Sequence, residues 1–406
     1  MAGIHCEHWQ AGRCHSCSWL PHPYPRQVDD KQHSARTALV DAAVAGAEAL
    51  DWLPPVTSTT TGFRTKVKLV IGGTPRRPTF GTLDEHRHGV DLPGCPIQHP
   101  AVNAAVPGLK RFVRRLRLRP YDVPTRQGEL KYVHVSVGQG DALMLRFVLR
   151  TREHVGAIRS ALPDLRALVP GALVVTANIH PRHEATVEGP DEIVLTRERT
   201  LPTHVGGVRL HLGPRAFAQT NSTVAGHLYR QVAEWACGSR VPGSGTGYEG
   251  AAAPADEGGA RTLWDLYCGV GGFALHAAAA GIAHVSGVEI SSDAIASARM
   301  SAREMGLGRQ RSDFQVGDAT KWALERSAAE VPDVVVVNPP RRGIGTELAA
   351  WLDRCDAGRV IYSSCNPASL AKDLASMGNL RPVQARLFDM FPHTAHSEVA
   401  VLLERR

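Results

Sequence analysis

The chain has 406 residues, 43% hydrophobic and 21% charged, with a formal net charge of +7. These totals fit a soluble globular protein of two or three domains and exclude disordered, fibrous and small disulfide-stapled classes. No run of about 18 apolar residues occurs, so no membrane span is expected.

The start, MAGIHCEHWQ, has no apolar segment behind a basic one, which points to a cytoplasmic protein. The charge is uneven. Residues 1–215 hold 28 Lys and Arg against 19 Asp and Glu, a balance of +9, and residues 216–406 hold 18 against 20. An N-terminal half this basic suits a polyanionic partner such as nucleic acid. Eight cysteines in a cytosolic chain of this length read as metal or catalytic residues rather than as a disulfide framework.

In chain order, residues 1–26 are dense in Cys, His, Trp and Pro, with little room for regular structure. A helix-like stretch follows over 34–53. From Phe63 to Phe217 the pattern is mostly strands of period two, including FRTKVKLVIGG, LKYVHVSVG, ALMLRFVLRT and ALVVTANIH. From Ala218 onward helices and strands alternate, as in a doubly wound, mostly parallel sheet. A Gly/Ala/Pro-rich segment at about 238–261 reads as a flexible insertion. The expected domains are 1–62, 63–217 and 218–406, with Cys95 reaching back to the first.

DLYCGVGGFALH follows an expected strand and opens an expected helix. Its Gly269, Gly271 and Gly272 let the backbone approach a ligand and aim helix N–H groups at it. Glu289 ends the next strand, placed to accept ribose hydroxyls, and Asp318 ends the third, in reach of an adenine edge. Together these resemble the S-adenosylmethionine site of Rossmann-like methyltransferases. Asn338-Pro339-Pro340 ends the fourth strand; such a corner alone would indicate amino-group methylation, but Arg341 follows where an aromatic residue is expected.

Cys365, in VIYSSCNPASL, ends the fifth strand on the same sheet edge, among Ser363, Ser364 and Asn366. Polar neighbours do not suit a packing thiol, whereas Cys237, Cys268 and Cys355 read as ordinary core cysteines. A thiolate beside a methyl donor has one ready use. It adds to C6 of a pyrimidine and makes C5 nucleophilic, after which a base must remove the C5 proton. Glu398, just before a final apolar run, can be that base or a plain surface carboxylate.

FAQTN, DLYCGVGGFALH, NPPRRGIG, YSSCNPASLAKDL and FDMFPHTAHSE, in that order, resemble the RNA uracil-C5 methyltransferases. The resemblance implies an α/β Rossmann-like methyltransferase domain joined to a strand-rich α+β domain carrying a Cys-ligated cluster. It implies Cys365 as nucleophile and Glu398 as base, with Gln219, Tyr267, Glu289 and Asn338 around cofactor and target. Asn338, where many relatives have Asp, is similar to the subgroup acting on 23S ribosomal RNA.

Cys6, Cys14 and Cys17 are spaced C-x7-C-x2-C, and Cys95 lies far downstream. Four thiolates suit zinc or an iron–sulfur cluster, and His8 and His15 keep zinc open. The spacing resembles the [4Fe–4S] site of the same subgroup, which implies a structural cluster. With so few residues ahead of Cys6, the extra N-terminal RNA-binding barrel of some relatives is not expected.

Two basic stretches bear on RNA. Arg64, Lys66 and Lys68 share one strand face over Phe63, Val67 and Leu69, which suits phosphate contacts. Lys110–Tyr121 reads equally as a solvated helix end. The expected partner is 23S ribosomal RNA met by a monomer through a flipped uridine. The rival readings are the same chemistry on transfer RNA, amino-group methylation through Asn338, and an RNA-binding module with a vestigial methyltransferase fold.

Overall fold

A computed structural model describes residues 4–238 and 261–406. The expected insertion lies outside them except for Gly238 and Arg261. Near the N-terminus come a short helix α1 (Glu7–Gln10), a long helix α2 (Tyr24–Asp41) and a two-residue strand β1 (Asp51–Trp52). Helix α2 starts ten residues earlier than its periodicity indicated, because Pro25 sits in the first turn, where its missing N–H costs nothing. It ends before Ala43, whose φ of 52° breaks the helix. Gln27, Val28, Lys31, Ala35 and Leu39 form its buried face.

The central unit contains β2 (Lys66–Thr74), β3 (Arg77–Leu83), β4 (Gly89–Asp91), α3 (Pro100–Arg115), β5 (Leu130–Val137), β6 (Leu143–Leu149), α4 (Val155–Ser160), α5 (Leu162–Leu168), β7 (Ala172–Ile179) and β8 (Asp191–Val194). Its sheet runs β4-β3-β2-β5-β6-β7-β8, antiparallel except for β6 and β7. Val67, Leu69, Val133, Leu145 and Phe147 on one face pack against Leu109 and Phe112 of α3. Helix α3 was hidden in the sequence by Pro107 and Gly108. Pro107 is exposed, and Gly108 is needed where a Cβ would meet the Leu168 carbonyl at 2.2 Å.

A hairpin of β9 (Leu201–Val205) and β10 (Val208–Leu212) turns through Gly206 and Gly207, both at positive φ. The C-terminal unit then contains α6 (Ser222–Cys237), β11 (Thr262–Leu266), α7 (Gly272–Ala279), β12 (His284–Glu289), α8 (Ser292–Glu304), β13 (Ser312–Val316), α9 (Ala319–Leu324), β14 (Val334–Val337), α10 (Gly345–Arg354), β15 (Arg359–Ser364), α11 (Pro367–Ala375), β16 (Leu380–Phe388) and β17 (Glu398–Arg405).

The large sheet runs β1-β16-β17-β15-β14-β11-β12-β13, parallel from β15 to β13, with β17 antiparallel to both neighbours. Apolar strands such as Val334–Val337 are buried on both faces, as a doubly wound sheet requires. Helices α6, α7 and α8 cover one face; α2, α9, α10 and α11 cover the other. Segment 1–62 is therefore divided: α2 packs on the large sheet, which β1 extends by pairing with β16. Among the described residues, no helix is long and apolar enough to cross a membrane.

Candidate active site

Strand order reverses between β11 and β14, and open α/β sheets place ligands at the carboxyl ends of strands flanking such a point. The turn after β11 lies there. Tyr267, Gly269 and Gly271 all have positive φ, of 65°, 53° and 82°. For Tyr267 that conformation is strained, and its hydroxyl is held 3.2 Å from Thr320 Oγ1. Gly271 caps α7. Beneath the turn, Asp265 is fully buried, accepts from Ala274 N at 3.0 Å and leaves Oδ1 without a partner. Burial, reinforced by Glu289, lifts its carboxyl to about 7.

Glu289 sits at the end of β12 and accepts from Gly269 N (3.3 Å) and Ser291 N (2.9 Å). Each carboxylate oxygen keeps a free lone pair for a diol. Asp318 caps α9 by accepting from Lys321 N at 3.0 Å, so the bland reading of it as a helix cap also holds. Asn338 is half-buried after β14, and its N–H donates to Leu266 O at 3.3 Å. Gln219 lines a small cavity with Ser222, Tyr229 and Val270, the last from the turn after β11.

Cys365 follows β15 directly, and Glu398 opens β17. The pair Ser364–Val399 ends the β15–β17 register, so one step further out sets Cys365 opposite Glu398, Cα atoms about 5 Å apart in such a ladder. Ser363, on the same face as Cys365, donates to Glu398 Oε1 at 2.6 Å. Glu398 is 2% exposed, and burial lifts its carboxyl to about 7 against that hydrogen bond.

Burial and the Glu398 carboxylate push the half-buried Cys365 thiol up, and the Arg341 guanidinium pulls it down. Asn366 clasps the Arg341 loop, its Nδ2 donating to Arg341 O at 2.9 Å. This burial excludes a surface carboxylate for Glu398. Asp265, Ser363 and Arg341 were not assigned from sequence. A polar residue inside the apolar strand TLWDL was the available signal for the first.

The four cysteines Cys6, Cys14, Cys17 and Cys95 all line one pocket of about 370 Å³ with His8, Trp9 and Arg64. Burial first, then neighbouring Cys95, Cys14 and Cys6, push the Cys17 thiol up to about 12. His8 Nε2 donates to Pro93 O at 2.7 Å, which leaves Nδ1 buried with no partner. Among the described residues, no group of three or more His, Cys, Asp or Glu is set to hold a metal ion.

The shared basic face of Arg64, Lys66 and Lys68 is only partly realised. Phe63, Val67 and Leu69 are buried beneath it. Lys66, however, turns inward and donates to Ala216 O at 3.0 Å, and burial lowers its ammonium to about 8. Lys68 is the exposed member.

Residues 320–406 match the family model described as tRNA (Uracil-5-)-methyltransferase, and residues 264–339 a methyltransferase domain. The 23S rRNA (uracil(747)-C(5))-methyltransferase RlmC of Halothiobacillus neapolitanus is 42% identical over 99% of this chain and 100% of its own. The enzyme of the same name from Pectobacterium atrosepticum is 41% identical, with the same shares covered. The chain belongs to the RNA uracil-C5 methyltransferase family. A solved Pyrococcus abyssi tRNA (uracil-54, C5)-methyltransferase, in complex with S-adenosyl-L-homocysteine, shares the fold. Its TM-score is 0.73 at 23% identity, covering 95% of this chain and 85% of that one.

Proposed function

We propose that the protein methylates C5 of a uracil in 23S ribosomal RNA, at the position its relatives are named for. The observation that carries this is Cys365 close to buried Glu398 at the end of the β15–β17 pairing, on the same sheet edge as the glycine turn after β11. S-adenosylmethionine supplies the methyl group when bound. Glu289 would hold its ribose, the N-terminus of α7 its polar end, and Asp318 its adenine edge, with Tyr267, Asn338 and Gln219 bordering the reacting groups. The free lone pairs of Glu289 and the unpartnered Asp265 Oδ1 fit a hydroxylated, cationic ligand.

The Cys365 thiolate attacks C6, the C5–C6 π pair shifts to C4–C5, and the C4–O4 π pair moves onto O4, giving an enolate. C5 thereby becomes nucleophilic and takes the methyl group, the pair of the broken sulfonium S–CH3 bond staying on sulfur so that the donor would leave as S-adenosylhomocysteine. Glu398, as carboxylate, then accepts the C5 proton. The released pair re-forms the C5–C6 double bond as the C6–S bond breaks, returning the thiolate. Arg341 favours the thiolate, and Ser363 orients the carboxylate. A uracil must leave its stack to reach this edge, so the target is flipped from a loop.

We propose also that Cys6, Cys14, Cys17 and Cys95 hold a [4Fe–4S] cluster. Four thiols in one pocket support it. The cluster would cross-link residues 6–17 to the turn before α3 and take no part in methyl transfer.

The test is labelled-methyl transfer to 23S ribosomal and transfer RNA transcripts, with the modified nucleotide mapped. The expected result is one 5-methyluridine in 23S RNA and none in transfer RNA. Cys365→Ala should lose roughly a thousandfold or more, the scale at which a covalent nucleophile counts. A Cys365→Ala enzyme that keeps its activity would favour amino-group methylation instead.

A further inference from the structure

We infer that Gln27 and Lys31 of α2 are positioning residues for Glu398, acting through the nine-residue loop 389–397 that joins β16 to β17. The inference rests on the proposed role of Glu398 as the base.

An antiparallel connection usually needs only two to five residues, and this one is longer and has no regular structure. Its first half is fixed at alternate residues by side chains more than 350 positions away. Lys31 Nζ donates to Asp389 Oδ1 at 2.6 Å and to Phe391 O at 3.1 Å, both ion-pair side chains being fully buried. Gln27, 0% exposed, accepts from His393 N at 2.8 Å. Its Nε2 donates to Trp19 O (3.0 Å) and His22 O (2.8 Å). Trp19 N in turn donates to His393 O at 2.9 Å.

His393 has a φ of 67°, a conformation a side-chain-bearing residue keeps only when its surroundings impose it. Nε2 of the same ring donates to Thr60 O at 2.8 Å. The second half of the loop has only local side-chain bonds: Thr394 Oγ1 donates to Phe391 O and accepts from His396 N, while Glu398 has Ser363 and its strand pairing with Phe388. Glu398 pairs with Phe388, the pair that closes this loop, so the anchored half at 389–393 bears on how that closing pair, and with it the base, is set.

Satisfied buried polar groups specify one arrangement where apolar packing would accept several, because each misplacement strands a donor or acceptor. An apolar filler at Gln27 would pack the same space and leave the loop free to shift. The reaction divides the roles cleanly. Adduct formation needs Cys365, whereas only release needs the base, so a displaced Glu398 should slow release alone.

The experiment is Gln27→Met, of matched length, beside Lys31→Met/Asp389→Asn, which removes the buried pair without leaving one charge behind. Formation and decay of the covalent RNA adduct are followed on denaturing gels under single turnover, with Glu398→Gln in parallel. The expected result is adduct formation and RNA affinity as in the parent, with decay slowed by roughly tenfold, about 1.4 kcal/mol on that barrier. Normal decay in a folded variant overturns the inference while leaving Glu398 as base. So does slowed formation with unchanged decay, the pattern of a general folding defect. If Gln27→Met does not fold, the double variant decides on the same readout. Failure of Glu398→Gln to accumulate adduct would overturn the base assignment, and this inference with it.

Discussion

At the scale of single residues, Glu398 trades stability for function. Its carboxyl titrates near 7 in the fold, against 4.5 when unburied. A folded pKa raised in this way means the native state holds its proton longer than the unfolded chain. Stability is therefore greatest below about 4.5 and is lost as pH rises through about 7. Glu398→Gln keeps an acceptor for Ser363 and abolishes that loss. It should stabilise the protein by up to about 3 kcal/mol at pH 8 and by about 1 at pH 5.

Urea melts at both pH values measure this difference, and an equal gain at both would contradict it. The same variant should accumulate a methylated covalent adduct, since addition and methylation need no base. Adduct release by the parent enzyme should rise with pH through about 7, as the carboxylate forms. Cys365 was legible in the sequence because a thiol among polar residues after an apolar run is out of place in a core. The environment of Glu398 was not. Its burial depends on β17 inserting antiparallel between β15 and β16, a long-range pairing that no local pattern reports.

Among the elements, β2 and α3 show how alternation tells faces apart but not which face stays open. Alternation placed Phe63, Val67 and Leu69 underneath, as they are. It could not show that Ala216, 150 residues on, turns its carbonyl to Lys66. Lys68 should therefore carry a phosphate contact and Lys66 a structural one. Lys68→Gln should lower the slope of log affinity against log salt by about 0.7 to 0.9, one phosphate's share. Lys66→Gln should leave that slope unchanged; nitrocellulose filter binding over a salt series separates the two.

Helix α3 spends much of its charge internally. Lys110 pairs with Asp91 and Arg115 with Asp164, while beyond its end Arg119 bonds Gln127. Proline and glycine inside a helix misled a reading made from local propensity, because tertiary packing on α5 made Gly108 an advantage. The alternating elements after β11 were legible for the opposite reason. The strands there are short, centred on apolar runs such as Val334–Val337 and bounded by polar turns, so burial on both faces is written in their composition.

Across the whole molecule, the N-terminal residues matter out of proportion to their number, because they touch both units. Cys6, Cys14 and Cys17 share a pocket with Cys95 of the central unit. His8 Nε2 reaches Pro93 O beside that cysteine. Two residues beyond Cys17, Trp19 N bonds His393 O in the loop leading to Glu398. A stretch this short, with one four-residue helix and few buried apolar side chains, cannot hold itself in place by burial.

The proposed cluster, held by four thiolates, would supply a cross-link there. Cys17→Ser should therefore lose bound iron, measured per chain by a colorimetric assay after anaerobic purification. Limited proteolysis should cut the variant within residues 4–22 and spare the parent. The large sheet has its own cores on both faces, so thermal unfolding of the C-terminal unit should change little. A variant that keeps full iron would remove Cys17 from the ligand set. A parent protein that binds zinc in place of iron would replace the cluster with a single ion, and the four thiols would then have to close in on one point.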